Sequence, residues 1–375
     1  MERAASYDVL IAGAGPAGSA TAIALARRGL RVLLLERSRF EHGRIGESLA
    51  PSVQPLLREL GVWEQFRSVP QVASFGGVSV WGDDEPQAQS YMAQRFSCGF
   101  HVERKAFDHM LAEAAHASGA DLQLGTALER CQLTPSGYRV SVRCGRERSA
   151  LDTRVLIDAT GRRAHVSRQL GAQRLLFDRA VAIAARLHVL TESHLLVEAA
   201  APGWFYSAPL SDDTLSVMWM TDADLCRDVQ LRAAIAQAPY THARVQASDV
   251  YPGGPIQVHC AHSQRMSHAP WQLAAAGPYL AVGDAALAVD PIAGDGVVRA
   301  LRSARRAAAT VLQLLEAPQA QHELLTAYAA ESDAECTRYL EKRVHYYVAE
   351  QRFDTPYWQR RALAAHEEAG ASIPR

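Results

Sequence analysis

Lysine is nearly absent from this chain of 375 residues: among 39 lysine and arginine side chains, only Lys105 and Lys342 are lysines. Acidic residues number 40 and bring the formal net charge to −1, which excludes the strong positive field that carries nucleic-acid binders and polybasic membrane proteins to their partners. None of the six cysteines forms a C-x-x-C or C-x-x-x-x-C pair, so the spacing argues against a disulfide framework, a structural zinc site and a dithiol redox centre. His259 and His262 bracket Cys260, but residues three apart on a strand face opposite ways, and no metal site is expected. No apolar run reaches the roughly 18 residues of a membrane span. The first strand begins within a few residues of Met1, leaving no room for a signal peptide, and a cytoplasmic location is expected. There is no internal repeat and no low-complexity linker, and the 48% apolar content is ample for a large core.

What the chain does have starts at Tyr7, where an apolar run through Ala12 feeds into Gly13-Ala14-Gly15-Pro16-Ala17-Gly18, a G-x-G-x-x-G turn. Gly13 permits the tight strand-to-helix turn, Gly15 lets backbone N–H groups approach a pyrophosphate, and Gly18 lets the helix pack closely on the sheet. Pro16 and Ala17 open that helix, whose N-terminus favours phosphate. A second apolar run, Val32 to Leu35, ends in Glu36 beside Arg37, where a carboxylate can accept from a ribose hydroxyl. Strand, glycines, Ala-rich helix and acidic strand end arrive in order, as a dinucleotide-binding unit requires.

Further along, Val53 to Gly61 reads as an amphipathic helix, Phe75 to Trp81 as a strand, and Arg104 to Ala117 as a helix. Strands are expected at Asp121 to Leu124, Tyr138 to Cys144 and Val155 to Ala159, then at Ala182 to Val189, Trp204 to Pro209, Leu215 to Thr221 and Ile256 to His262. Tyr279 to Asp284 returns to the strand-then-glycine style, and from Gly296 onward the chain reads as helix broken at Pro318 and Pro356. The fold class is therefore α/β, or mixed α+β. A discontinuous nucleotide domain comprises 1–70, 100–175 and 270–315; a second, antiparallel-sheet substrate domain comprises 71–99 and 176–269; and 316–375 forms a helical C-terminal segment. Ligands are expected in a cleft between the two sheets.

Four ordered motifs, the fingerprint, Arg104-Lys105-Ala106-Phe107-Asp108, Asp158-Ala159-Thr160-Gly161 and Gly283-Asp284 with Asp290-Pro291-Ile292-Ala293-Gly294-Asp295-Gly296-Val297, span nearly the whole chain. Together they resemble the flavoprotein monooxygenase and halogenase superfamily, which binds FAD in a glutathione-reductase-like nucleotide domain. The resemblance implies that Asp284 meets the ribityl chain of FAD, with Gly283 before it, and that Arg104 sits by the phosphate and ribityl region. Pro291, Gly294, Gly296 and Val297 would then lead a helix whose N-terminus faces the pyrimidine side of the flavin and stabilises charge on the reduced ring. Ser48, in Ile45-Gly46-Glu47-Ser48-Leu49, joins this cofactor set, and Glu47 is the candidate acid or base. Only one dinucleotide fingerprint is present, so electrons would come from NAD(P)H docking transiently or from a separate flavin reductase, with O₂ as co-substrate.

Halogenases of this superfamily depend on a lysine between flavin and substrate. Between Ala50 and Lys105 the chain has none, and no W-x-W-x-I-P segment occurs. The segments Pro202 to Leu210, Thr221 to Leu225, Ala261 to Arg265 and Tyr346 to Phe353 with Tyr357 to Arg361 are similar to the halogenase-like flavoproteins that mature tryptophylquinone amine oxidases and dehydrogenases. That resemblance implies hydroxylation of an aromatic substrate, an indole or a tryptophan within a partner polypeptide, through a flavin C4a-hydroperoxide. Trp204, Tyr206 and Met218 are the candidate substrate-facing residues, with ordinary inner-face packing as the alternative. A halogenase, a prenyl-chain reductase and a non-catalytic flavin-binding maturation factor remain as other functions. Of the arginine pairs, Arg162-Arg163 is favoured for a functional role because it follows the nucleotide-domain strand.

Overall fold

The N-terminal apolar run becomes the strand Ser6–Ala12, in which Val9, Leu10 and Ile11 have no exposed surface because the strand is paired on both sides. In the computed structural model, which describes residues 6–188, 194–211, 213–227, 230–246, 256–267 and 277–370, this strand is central to a seven-stranded sheet. Asp121–Leu124, Val32–Glu36, Ser6–Ala12, Glu147–Asp158 and Tyr279–Ala281 run parallel, and Gly137–Cys144 and Thr126–Thr134 extend the sheet antiparallel from Glu147–Asp158. Val189 at the end of one expected strand, and residues 270–276 of the expected nucleotide segment, lie outside the described residues.

The turn after the first strand is built by close approach. Gly13 has φ +108°, and a Cβ there would lie 2.3 Å from the Ala159 carbonyl oxygen; a Cβ on Gly18 would lie 1.9 Å from the Gly13 carbonyl oxygen. Pro16 opens the helix Pro16–Ala26, and nearly all of its small side chains are buried. It packs against the helices Arg104–Ala117 and Gly296–Glu316, forming with the sheet one continuous core.

The second large sheet has seven strands, running Gln257–Cys260, Ala180–His188, Thr214–Asp222, Gly203–Leu210, Leu195–Ala200, Gly76–Val80 and Gln87–Ser90. It departs from the expected antiparallel pattern at one place, where Leu195–Ala200 pairs parallel with Gly76–Val80. The period-two alternation separates two faces. Phe205 and Trp219 stack on one face at 6.3 Å over Leu231 and Ile235. Trp204, Tyr206, Met218 and Met220 lie on the other.

Three helices complete the chain, Gly296–Glu316, the 29-residue Gln321–Ala349 and Pro356–Gly370. The last two are clasped to the second sheet: the Trp81 indole N–H donates to the Tyr346 carbonyl at 2.7 Å, Gly82 N–H donates to the Glu350 carboxylate at 2.8 Å, and the Trp358 indole N–H donates to the Ala200 carbonyl at 2.8 Å. Among the described residues no helix is long and apolar enough to cross a membrane.

Gly18→Ala forces a methyl group into the Gly13 carbonyl, and overpacking of this kind costs about 1–3 kcal/mol. Thermal unfolding followed by circular dichroism should show a lower Tm. Gly296→Ala, where nothing lies within 4 Å of an added Cβ, should hold its Tm and serves as the control.

Candidate active site

At the N-terminus of the first helix the structure brings Glu36 and Arg44 beside the glycine turn. Ala14 N–H donates to Glu36 Oε2 at 3.0 Å, while Ser38 N–H and Oγ donate to Glu36 Oε1 at 2.9 and 2.7 Å. The carboxylate is thus fixed at the strand end, with lone pairs left for a ribose hydroxyl. Arg37 is exposed beyond it. Gly15 has φ −74° and no side chain caps the helix it precedes. A Cβ on Gly15 would meet only Arg44 Nη1, at 3.7 Å. Neither backbone conformation nor packing demands glycine there, so the space it leaves open belongs to something outside the chain. An uncapped helix N-terminus beside an arginine suits a diphosphate, and these residues fit the dinucleotide end of FAD.

Arg44 was not singled out by the sequence, because nothing in its spacing distinguishes it from the other arginines. Its Nη1 pairs with Asp108 Oδ2 at 2.9 Å and its Nη2 lies 3.7 Å from Glu36 Oε1. Arg104, expected by the phosphate and ribityl region, directs Nε and Nη2 to Asp108 at 3.1 and 3.2 Å and donates from Nη1 to the Ile45 and Gly46 carbonyls at 2.8 and 3.2 Å. With these bonds made, it holds the 44–48 loop on its helix; Arg44 is the arginine that faces the opening.

At the carboxyl ends of the strands, Arg162 Nη1 pairs with Asp284 Oδ2 at 2.8 Å, and its other nitrogens donate to the Val289 and His262 carbonyls. Gly283 N–H donates to Ser303 Oγ at 2.9 Å. Arg162, favoured among the arginine pairs, therefore joins the end of the strand Glu147–Asp158 to the 283–296 stretch. Asp158 accepts from Thr160 and Ser167 and braces the end of its strand.

Asp290 caps the turn Pro291–Ala293: Oδ1 accepts from Ile292 N–H at 3.0 Å, and Oδ2 accepts from the Tyr347 hydroxyl at 2.5 Å. Burial pushes the Asp290 carboxyl pKa up. Beyond the turn, an added Cβ at Gly294 or Gly296 would meet nothing within 4 Å, and the helix Gly296–Glu316 has no side-chain cap. Val297 in its first turn is buried in the core. The Gly294 N–H donates to the Pro291 carbonyl at 2.9 Å, so it is the N-terminus of the helix Gly296–Glu316, without a side-chain cap, that is left beside open space, as at Gly15.

The 44–48 loop reaches the second sheet. Glu47 is buried; Ser216 Oγ donates to its Oε1 and Gly46 N–H to its Oε2, both at 2.9 Å. Burial raises its pKa despite those hydrogen bonds. Ser48 Oγ is hydrogen-bonded to the Tyr206 hydroxyl at 2.7 Å and to His101 Nδ1 at 2.8 Å. Ile45 from the loop and Ile292 from the turn both pack on the Trp204, Tyr206 and Met218 face, so loop, turn and aromatic face meet. Trp204 does not form the open wall expected of it. It is 1% exposed, its indole N–H donates to the Tyr347 hydroxyl at 3.2 Å, and Trp81 packs edge-on at 6.2 Å. Met218 and Tyr206 are buried alongside it. Among the described residues no group of His, Cys, Asp and Glu could hold a metal ion.

The FAD binding domain family matches residues 6–342 of this chain. The chain belongs to that family. Within this FAD-binding family, LodB of Marinomonas mediterranea, described as an FAD-dependent oxidoreductase, is 30% identical over 80% of this chain and 83% of its own length. A tryptophan 2-halogenase of Chondromyces crocatus is 27% identical over 99% of this chain and 73% of its own. Among solved structures, the myxobacterial chondrochloren halogenase CndH superposes with a TM-score of 0.84 at 25% identity, covering 98% of this chain and 89% of that one. The family-level resemblance read from the motifs is borne out, and the protein is an enzyme of the FAD-dependent oxidoreductase and halogenase class.

Two expectations follow. Gly15→Val should keep the native far-UV spectrum and a Tm near that of the FAD-stripped native protein, while FAD occupancy of the purified protein falls to near zero, since the new side chain fills the opening and not the core; full occupancy would contradict the placement. Glu47 holds its proton more tightly folded than unfolded. The stability it contributes is present below the ordinary carboxylate pKa of about 4.3 and is lost as pH rises through its raised folded value. Glu47→Gln, with its carbonyl toward Gly46 N–H and its amide toward Ser216 Oγ, keeps both hydrogen bonds without the charge, so it should raise Tm at pH 8 and change it little at pH 4.

Proposed function

We propose that this chain is an FAD-dependent monooxygenase that hydroxylates an aromatic ring, and more narrowly an indole carried as a tryptophan in a partner polypeptide. The observation that carries oxygenation over halogenation is where the two lysines lie. Lys105 Nζ is at the surface near the Glu41 carbonyl, and Lys342 lies exposed over the Tyr346 ring. Neither stands among the buried groups where loop, turn and aromatic face converge. The narrower substrate rests on the likeness of Pro202 to Leu210 and Tyr346 to Arg361 to the flavoproteins that mature protein-borne quinones.

Gly13 to Gly18 and Arg44 would hold the diphosphate, with Arg37 at the rim; Glu36 would hold the ribose, and Asp284 with Arg162 the ribityl chain. When bound and reduced, FAD supplies the activation of dioxygen; its electrons come from NAD(P)H or a separate flavin reductase. The helix N-terminus at Gly296 and Val297, after the turn that Gly294 closes, would stabilise negative charge on a reduced ring placed there. Burial raises the Glu47 carboxyl above its ordinary pKa and so favours its protonated form, and Ser48 Oγ links the Tyr206 hydroxyl to His101 Nδ1 in one hydrogen-bonded chain. The aromatic cluster around Trp204 excludes water from the reacting centre.

Halogenation is the second reading, favoured by the halogenases among the relatives. FAD-loaded protein, supplied with NADH, a flavin reductase and oxygen, is to be incubated with tryptophan, with tryptophan-containing peptides and with proteins encoded beside its gene, in bromide buffer. The expected products gain one or two oxygen atoms on tryptophan by mass spectrometry, with none halogenated. Halotryptophan above a no-enzyme control would overturn the assignment, and turnover of free aromatics alone would overturn the polypeptide substrate.

A further inference from the structure

Where the helices Gln321–Ala349 and Pro356–Gly370 meet the strand ends at Ala180 and Asp222, the structure leaves a cavity of about 370 Å³. Small-molecule sites occupy roughly 300–1,000 Å³. Four guanidinium groups, from Arg179, Arg343, Arg360 and Arg361, line it against three carboxylates, from Asp178, Asp222 and Asp224. The inner pairs are built into the fold. Arg343 reaches Asp178 at 3.2 Å and Arg361 reaches Asp222 at 2.9 Å, with all four side chains buried. Arg361 lies 3.5 Å over the Tyr357 ring, and its Nε is buried without a hydrogen-bond partner.

The outer groups differ. Arg360 is 44% exposed and is shared between Asp222 at 3.0 Å and Asp224 at 2.7 Å, the latter equally exposed. Exposed pairs of this kind are worth about 0–1 kcal/mol, so another anion can take the place of Asp224 at small cost. Arg179 is exposed and acts on Asp224 through space. Four guanidinium groups against three carboxylates leave the cavity with one positive charge in excess. A single layer of buried side chains separates it from the site above: Arg343 and Arg361 lie over the Tyr347 ring at 5.6 and 5.3 Å, and the Tyr347 hydroxyl donates to Asp290.

We propose that this cavity is an anion-binding site that takes the carboxylate or phosphate of an incoming substrate through Arg179 and Arg360, one side chain away from the 290–296 turn. That the anion is attached to an aromatic ring rests on the monooxygenase reading; the site itself does not.

Isothermal titration of the FAD-loaded protein with inorganic phosphate, indole-3-acetate and neutral indole tests it. Both anions should bind saturably, with indole-3-acetate tighter than indole. Arg179→Ala should weaken both anions about threefold to tenfold, and Asp224→Asn, which frees Arg360, should tighten both by a similar factor. A purely structural ion network predicts no gain from Asp224→Asn. A tryptophan peptide with a neighbouring aspartate that competes with phosphate marks a polypeptide-borne anion, and competition by indole-3-acetate alone marks a free one; either supports the site. Equal binding of indole and indole-3-acetate, or loss of affinity in Asp224→Asn, overturns it. Binding needs no turnover, so intact binding with failed oxygenation sinks only the aromatic reading, and lost binding with intact oxygenation sinks only the site.

Discussion

One buried carboxylate, that of Asp108, fixes both ends of the candidate site. It has no exposed surface and accepts from Arg44 and Arg104 together. Through Arg44 it sets the charge facing the Gly15 opening, and through Arg104 it pins the Ile45 and Gly46 carbonyls and so the loop that carries Glu47 and Ser48 into the second sheet. A charge held by two guanidinium groups in the interior is costly to unpair, about 3–5 kcal/mol. The arginine beside the Gly15 turn and the 44–48 loop are therefore tied to a single buried group.

A second carboxylate plays the matching part on the other side. Asp290 holds the turn before Gly294 from within and is itself gripped by Tyr347, from a helix more than fifty residues later. Tyr347 also receives the Trp204 indole N–H. The turn, the aromatic face and the C-terminal helix are thus one hydrogen-bonded unit, and its members polarise one another in a low-dielectric interior.

Much of this was legible in the sequence where local chemistry and global fold agree. Arg104–Ala117 was readable to its last residue because Phe107, Leu111, Ala114 and Ala115 keep helical phase. The alternation of Trp204, Phe205 and Tyr206 correctly predicted two opposed faces. What stayed hidden depended on partners distant in sequence. Leu195–Ala200, with its leucines, glutamate and alanines, has the composition of a helix former; it is a strand because Gly76–Val80 and Gly203–Leu210 flank it. Thr126–Thr134 has the adjacent charges Glu129 and Arg130 at its centre and does not alternate cleanly, yet Glu129 is matched by Arg143 on the adjacent strand and by Arg148 one strand further on. Arg44 became visible only once Gly15 and Asp108 were in place around it, and the covering of Trp204 by Tyr347 and Trp81 has no local signal at all.

The clasp of Trp81 and Gly82 on Tyr346 and Glu350 bears on how the molecule assembles. The packed cluster around Trp204 draws side chains from the first quarter, the middle and the last tenth of the chain, contacts whose loop closure is slow. During synthesis the turn from Gly13 to Gly18 emerges long before the helices that cover this cluster. A newly made chain therefore passes through a stage in which the cofactor end is formed while the aromatic face still meets water, and that interval is when a chaperone or the cofactor itself has most influence on whether the chain matures or aggregates.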